Sequence, residues 1–359
     1  MASAGLGLDG THAARYGASE FLKDRHPDLS PAFPSGVIPE EIAVAFGRRH
    51  IPKLVDVIAL PDGQLSPKEL AQALRYLVKL LSNQESKSEA VAYGASPSLV
   101  HHLAHADADV RTLASQTLSS LAQLLLGRAA VVAAGGVPAL TLLLRDASPH
   151  ARAAASQCLA ALSSGPDGAA ALLECQSGVL HREVEMLEDA ASTDDARLAG
   201  VLTLVHTTTS DKGIYQALDA HVPPTLLRLA GEPESHQEMR AACARALRNL
   251  AHHTYGKVQV LESGGIAVMS KFLQSNDETL QQHGAGCLMG LTLEEEAKLP
   301  CIQECGNMLA ELIHHPNPDV AENSLATIQN CCEHPAAREI VQGMLDDEDM
   351  EYVYSFCEM

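Results

Sequence analysis

The stretch Gly135-Gly136-Val137-Pro138-Ala139-Leu140, followed by Leu142-Leu143-Leu144, decides how the rest of the chain is read. Two glycines break whatever precedes them, Pro138 suits the first turn of a helix, and the leucines then supply an apolar face. Weaker versions recur on both sides. Gly264-Gly265-Ile266 opens one, and His221-Val222-Pro223-Pro224 with Leu226-Leu227 opens another. Ile51-Pro52-Lys53-Leu54 and Ser96-Pro97-Ser98-Leu99 are earlier copies; degenerate ones start at Gly178-Val179-Leu180 and Gly306-Asn307-Met308-Leu309. Aligned on Ile51, Ser96, Val137, Val179, Val222, Ile266 and Asn307, the copies stand 45, 41, 42, 43, 44 and 41 residues apart. Chance Gly-Pro turns do not keep such spacing, and an irregular all-helical globule has no reason to.

Each start is followed by a second, longer apolar segment, such as Leu118-Ser119-Ser120-Leu121, Leu159-Ala160-Ala161-Leu162 or Leu247-Arg248-Asn249-Leu250. Between the two lies a polar, acidic loop, Ala106-Asp107-Ala108-Asp109 in one copy and Ser275-Asn276-Asp277-Glu278 in another. One such unit cannot bury its apolar face alone. Neighbours must stack, and the array folds as a line of interfaces. The spacing predicts an all-α solenoid of about seven repeats over residues 48–345. Ahead of it comes a Pro-containing arm and capping helix, 1–47, and behind it an acidic and aromatic tail, 346–359. Pro27, Pro31, Pro34 and Pro39 forbid a long helix in the arm. The run Asp346-Asp347-Glu348-Asp349 leads into Tyr352, Tyr354 and Phe356, which are read as a cap on the last repeat.

Composition agrees. Aromatic residues are 3% of the chain and Trp is absent, while apolar residues reach 46%, so Leu, Ala, Val and Ile must fill the core. Stacked helices use such residues; β-sandwiches favour aromatic and β-branched ones. The net charge of −20 disfavours partners whose affinity comes from phosphate neutralisation, so neither nucleic acid nor an anionic membrane is expected. Cys158, Cys243 and Cys287 fall inside Ala/Leu-rich helical patterns and read as small buried hydrophobes. With no glycosylation sequon, no signal-like start and no long apolar run, the expected setting is reduced and cytoplasmic.

Catalytic motifs are not evident. Gly5-Leu6-Gly7-Leu8-Asp9-Gly10 matches G-x-G-x-x-G, but four residues cannot supply the strand that the dinucleotide motif needs. His101 and His105, at i and i+4 with His102 between them, could geometrically hold a metal; an exposed polar helix face explains them better. Cys301, Cys305 and the pair Cys331-Cys332 lack the C-x-x-C spacing of zinc sites. No cofactor, no metal, no small-molecule substrate and no enzymatic activity are expected.

The period and the order of helices resemble the armadillo repeat, with Gly264-Gly265-Ile266 and Ala246-Leu247-Arg248-Asn249-Leu250 as the nearest local matches. That resemblance implies a right-handed superhelix of three-helix repeats whose long third helices line a concave groove. Its ladder position then reads Tyr76, Ser120, Ala161, Leu204, Asn249, Gly290 and Asn330. Groove residues expected to contact protein are Tyr76, Ser120, Arg245, Arg248, Asn249, Gln329 and Asn330. Armadillo carriers of nuclear-import signals repeat Asn on this ladder with Trp four residues earlier. Here the earlier positions hold Arg245 and Ala326, so that role is not implied. A lining that differs in every repeat suits one particular folded or helical partner. Residues Ile38-Pro39-Glu40-Glu41-Ile42-Ala43-Val44-Ala45-Phe46-Gly47-Arg48-Arg49-His50-Ile51-Pro52-Lys53-Leu54 resemble the start of the radial spoke armadillo proteins of motile cilia and flagella, the radial spoke protein 14 and radial spoke protein 8 type. This implies a structural scaffold subunit of the axonemal cytoskeleton, with other spoke subunits as partners. The alternative is a cytosolic adaptor or chaperone cofactor with exchangeable protein clients.

Overall fold

A computed structural model describes residues 50–232 and 235–355, and these form α-helices without a strand among them. The first unit supplies α1 (His50–Ile58) and α2 (Pro67–Leu80). Five complete three-helix units follow. They are α3 (Gln84–Ala92), α4 (Ala95–His102) and α5 (Ala108–Ala122); α6 (Leu125–Ala133), α7 (Gly136–Leu143) and α8 (Pro149–Ser163); and α9 (Pro166–Glu174), α10 (Val179–Glu188) and α11 (Asp194–Thr207). Next are α12 (Asp211–Asp219), α13 (Val222–Gly231) and α14 (Gln237–Ala251), then α15 (Thr254–Glu262), α16 (Gly265–Leu273) and α17 (Glu278–Leu291). The seventh unit has two helices, α18 (Glu295–Leu312) and α19 (Pro318–Cys332), and α20 (Pro335–Met344) with α21 (Asp347–Ser355) closes the stack. The arm and its G-x-G-x-x-G lie outside the described residues, as does Phe356.

Three local rules build the repeat. The long third helices start at side-chain caps: Ser66, Asp107, Ser148, Thr193, Asp277 and Asn317 each accept from a first-turn backbone N–H. The first and second helices part at one left-handed residue, Gly94, Gly135, Gly178 or Gly264 with φ between 65° and 85°, and His221 with φ 53°. The third helix then turns sharply into the next unit against a glycine. A Cβ on Gly127, Gly168, Gly213 or Gly256 would stand 1.8 to 2.1 Å from the carbonyl oxygen of Leu121, Leu162, Thr207 or Leu250.

The seventh unit departs from the sequence expectation. A helix start is expected at Gly306, yet α18 runs unbroken from Glu295 to Leu312. Cys305 occupies the place of the left-handed glycine, and a residue with a Cβ favours helical φ there. Cys305 is fully buried, and its thiol meets that of Cys301, which also meets Cys331.

The apolar core runs in two stretches, one from Ile51 to Val179 and one from Leu173 to Val353. They meet between repeats three and four, where Glu183 and Ser156 are fully buried. At the far end α21 packs on α19. Val353 is fully buried, Gln329 Nε2 donates to its carbonyl at 2.8 Å, and His314 Nε2 lies 2.7 Å from Asp349 Oδ1 with its ring stacked on Tyr352. Among the described residues no single helix is long and apolar enough to cross a membrane.

Candidate protein-binding groove

The caps put the third helices in register. Counted from Ser66, Asp107, Ser148, Thr193, His236, Asp277 and Asn317, one column facing the groove is Arg75, Gln116, Gln157, Leu202, Arg245, Gly286 and Ala326. One turn on, the next column is Lys79, Ser120, Ala161, His206, Asn249, Gly290 and Asn330. The ladder read from Leu-x-x-Leu spacing therefore needs correction at two repeats. Leu204 is fully buried, and His206 takes its place. Tyr76 belongs to a third column, with Thr117, Cys158, Thr203, Ala246, Cys287 and Thr327, all six of which are fully buried. No described repeat precedes Tyr76, and it is 51% exposed at the end of the stack.

Several expected groove residues are spent on the stack itself. Asn249 Nδ2 donates to Val205 O at 3.3 Å and to Thr208 Oγ1 at 3.2 Å, one repeat back. Asn330 Nδ2 makes the same pair with Met289 O and Thr292 Oγ1, both at 3.2 Å. In repeat four His206 Nδ1 lies 3.0 Å from Ser163 Oγ, so a different side chain performs the same brace. Ser120 Oγ donates to Gln116 O of its own helix at 3.0 Å. Gln329 is held by the terminal cap, as described above.

Arg245 and Arg248 differ from all of these. Most arginines of the described chain meet a carboxylate, as Arg111 meets Asp146 at 2.7 Å and Arg145 meets Glu185 at 2.6 Å. Arg128 and Arg338 donate to backbone carbonyls, and Arg240 lies over the Phe272 ring. Among the described residues, Arg245 and Arg248 alone of the arginines have no carboxylate, carbonyl or ring partner. Their charge reaches three neighbouring histidines. Burial lowers the pKa of His206, His252 and His283, and the positive charge of Arg245 or Arg248 lowers each further, His283 to about 4.

Two hollows open on this face. One of about 490 Å³ spans repeats one to four and is lined by Arg75, Asp109, Gln116, His150, Gln157 and Asp195. Another of about 490 Å³ sits at the ends of α11 and α14, between Thr208, Thr209, Asp211, Arg248, Asn249 and His252.

The histidine trio turns to three separate tasks. His101 Nε2 lies 3.0 Å from Asp62 Oδ1, and His102 Nε2, buried, lies 2.8 Å from Ile58 O. His105 Nδ1 accepts from the Asp107 backbone N–H at 3.0 Å. Among the described residues no three His, Cys, Asp or Glu side chains converge as a metal would require. Burial raises the thiol pKa of Cys243 and Cys287 to about 12, which removes them as nucleophiles.

No family model matches the chain, and no curated protein matches it. Solved structures do. An engineered protein from a structural-genomics programme superposes with a TM-score of 0.74 at 24% identity, over 83% of this chain and 72% of that one. A designed armadillo repeat protein in complex with the peptide (KR)4 superposes with a TM-score of 0.60 at 22% identity, over 68% of this chain and all of that one. The fold is the armadillo solenoid. Another similar structure is a computationally designed armadillo repeat protein for modular peptide recognition, with a TM-score of 0.61 at 22% identity, over 67% of this chain and 99% of that one.

Proposed function

We propose that this armadillo chain is a non-catalytic protein-binding scaffold, built as a structural subunit into the radial spoke stalk of motile cilia and flagella. The observation that carries the scaffold reading is the groove column Arg75, Gln116, Gln157, Leu202, Arg245, Gly286 and Ala326, which changes at every repeat along one continuous stack. A uniform column suits a repetitive ligand, like the (KR)4 peptide held by the designed neighbour. A changing column suits one partner with its own sequence of side chains. Its partners are protein subunits of a large complex, with no nucleic acid, membrane or small-molecule substrate. The assignment to the spoke rests on the resemblance of residues 38–54, and it places the chain in the axonemal cytoskeleton.

The test is retention. Tagged protein expressed in ciliated cells should stay with demembranated axonemes through moderate salt, in fixed ratio to known spoke subunits. Complete release with the soluble fraction would sink the spoke assignment and leave a soluble adaptor.

A further inference from the structure

Repeats five to seven hold a cationic seat that the structural braces do not use. Arg245 stands, exposed, in the groove column of α14, and Arg248, half-buried on the same helix, lines the hollow at its end. Across from them, Gly286 carries no side chain. A Cβ there would lie 2.8 Å from Arg248 Nε and 3.3 Å from Asn323 Nδ2. The glycine therefore lets the Arg248 side chain lie flat across α17, and Ala326 keeps the same column low in the next repeat.

In a chain of net charge −20, an arginine without a counter-ion is unusual, because carboxylates are plentiful. Asp211 shares the hollow with Arg248 and still makes no ion pair with it. Tyr215 and Tyr255, 52% and 62% exposed, touch each other and His253 through their rings, and His253 lines the hollow that holds Arg248. Tyrosine and arginine are the side chains most enriched at the energetic centres of protein interfaces.

We infer that this part of the concave face seats an extended acidic segment of a partner protein, its carboxylates against Arg245 and Arg248 and its backbone over Gly286. The inference rests on the scaffold reading and names the chemistry of one of its contacts. Guanidinium groups meet carboxylates bidentately, and the half-buried setting of Arg248 strengthens that pairing relative to open water. The chain's overall negative charge works against an acidic ligand everywhere else, so such binding must be local.

Fluorescence polarisation of labelled octapeptides tests the seat on the full chain. An alternating Asp-Glu octapeptide should bind more tightly than an alternating Lys-Arg one at low salt. The double variant Arg245→Ala, Arg248→Ala should weaken the Asp-Glu complex by about tenfold or more, with the circular dichroism melt unchanged. Gly286→Ala keeps both charges and should weaken the same complex by displacing Arg248. Preference for the Lys-Arg peptide, or Asp-Glu binding that ignores the double variant, overturns the inference. A serine-phosphorylated peptide that binds far more tightly than the Asp-Glu one would reassign the seat to phosphate. These arms are separate from axoneme retention. Wild-type protein that stays on axonemes while the peptide arm fails loses only the acidic seat.

Discussion

Repeats six and seven are neighbours built from the same plan, and they differ at the two positions that shape a unit. Repeat six has Gly256 where the incoming third helix turns, and Gly264, at φ 85°, where its first two helices part. Repeat seven has Ala297 and Cys305 there, both fully buried, and its first two helices have become one, α18, with Pro300 inside it. The bend between the first and second helices is thus the property of a single residue. With Cys305 in that place the chain keeps its helical hydrogen bonds instead of adopting positive φ, whereas His221 in repeat five holds the bend despite its Cβ.

The largest effect is expected at the turn. Gly256→Ala would bring a Cβ to 2.1 Å from Leu250 O, a backbone atom that cannot rotate away, and should destabilise the fold by about 3 kcal/mol. Ala297→Gly, at the same place in repeat seven, should cost only about 1 kcal/mol, mostly from helix propensity. Urea melts of the two variants compare them directly. Equal losses would mean that the turn does not depend on the glycine.

The seam between repeats three and four offers a second contrast with repeat seven. Both bury an ionisable side chain. Lys298 in repeat seven has two carboxylates, Glu333 at 2.6 Å and Glu295 at 2.8 Å. Glu183 at the seam has only Ser156 Oγ at 3.2 Å from Oε2, while its Oε1 has no partner. Burial raises its pKa from 4.5 to about 8. Between those two values the folded chain holds a proton that the unfolded chain has released, so stability falls as pH rises through that window. Glu183→Gln removes the titration. It should raise stability by roughly 2 kcal/mol at pH 6 relative to wild type and lose that advantage near pH 4. A gain that is the same at both pH values would show that Glu183 is not buried as a neutral acid.

At the bend itself the expected change is smaller. Gly264→Ala should cost about 1 to 2 kcal/mol, because positive φ is unfavourable with a Cβ. The opposite swap, Cys305→Gly, should cost about 1 kcal/mol through lost helix propensity. Any rise in stability for Gly264→Ala would mean that repeat six prefers a fused helix too.

Much of this plan is legible in the chain. The Gly-Gly-Val-Pro and Gly-Gly-Ile starts give the period, and the apolar segments after them give the helices. The groove register is less so, because Leu198, Leu202 and Leu204 offer more than one apolar alignment in repeat four. Thr193, an N-cap three residues before Ala196 whose backbone donates to it, fixes the register that leucine spacing leaves open. Gly127, Gly168, Gly213 and Gly256 recur at similar spacing, a second periodic signal beside the Gly-Pro starts. Asn249 and Asn330 read from sequence as groove amides, but that their donors face the preceding repeat depends on how neighbouring units stack. The missing partners of Arg245 and Arg248 are a tertiary fact of the same kind. A sequence shows a charge without showing what stands beside it.

The smallest test concerns the one bend that is not a glycine. His221 adopts φ 53° between α12 and α13, where four other repeats use Gly94, Gly135, Gly178 and Gly264. Its neighbours explain why the bend survives a Cβ. Pro223 fixes φ in the first turn of α13, and Val222, fully buried, anchors the helix start in the core. The bend is then imposed from both sides, and the left-handed strain stays in the native state at a cost of about 1 to 2 kcal/mol. His221→Gly should relieve that strain while increasing the freedom of the unfolded chain, leaving a net gain of up to about 1 kcal/mol. If thermal melts instead show a loss, the His221 side chain contributes a contact that outweighs its backbone, and the equivalence of the five bends fails at repeat five.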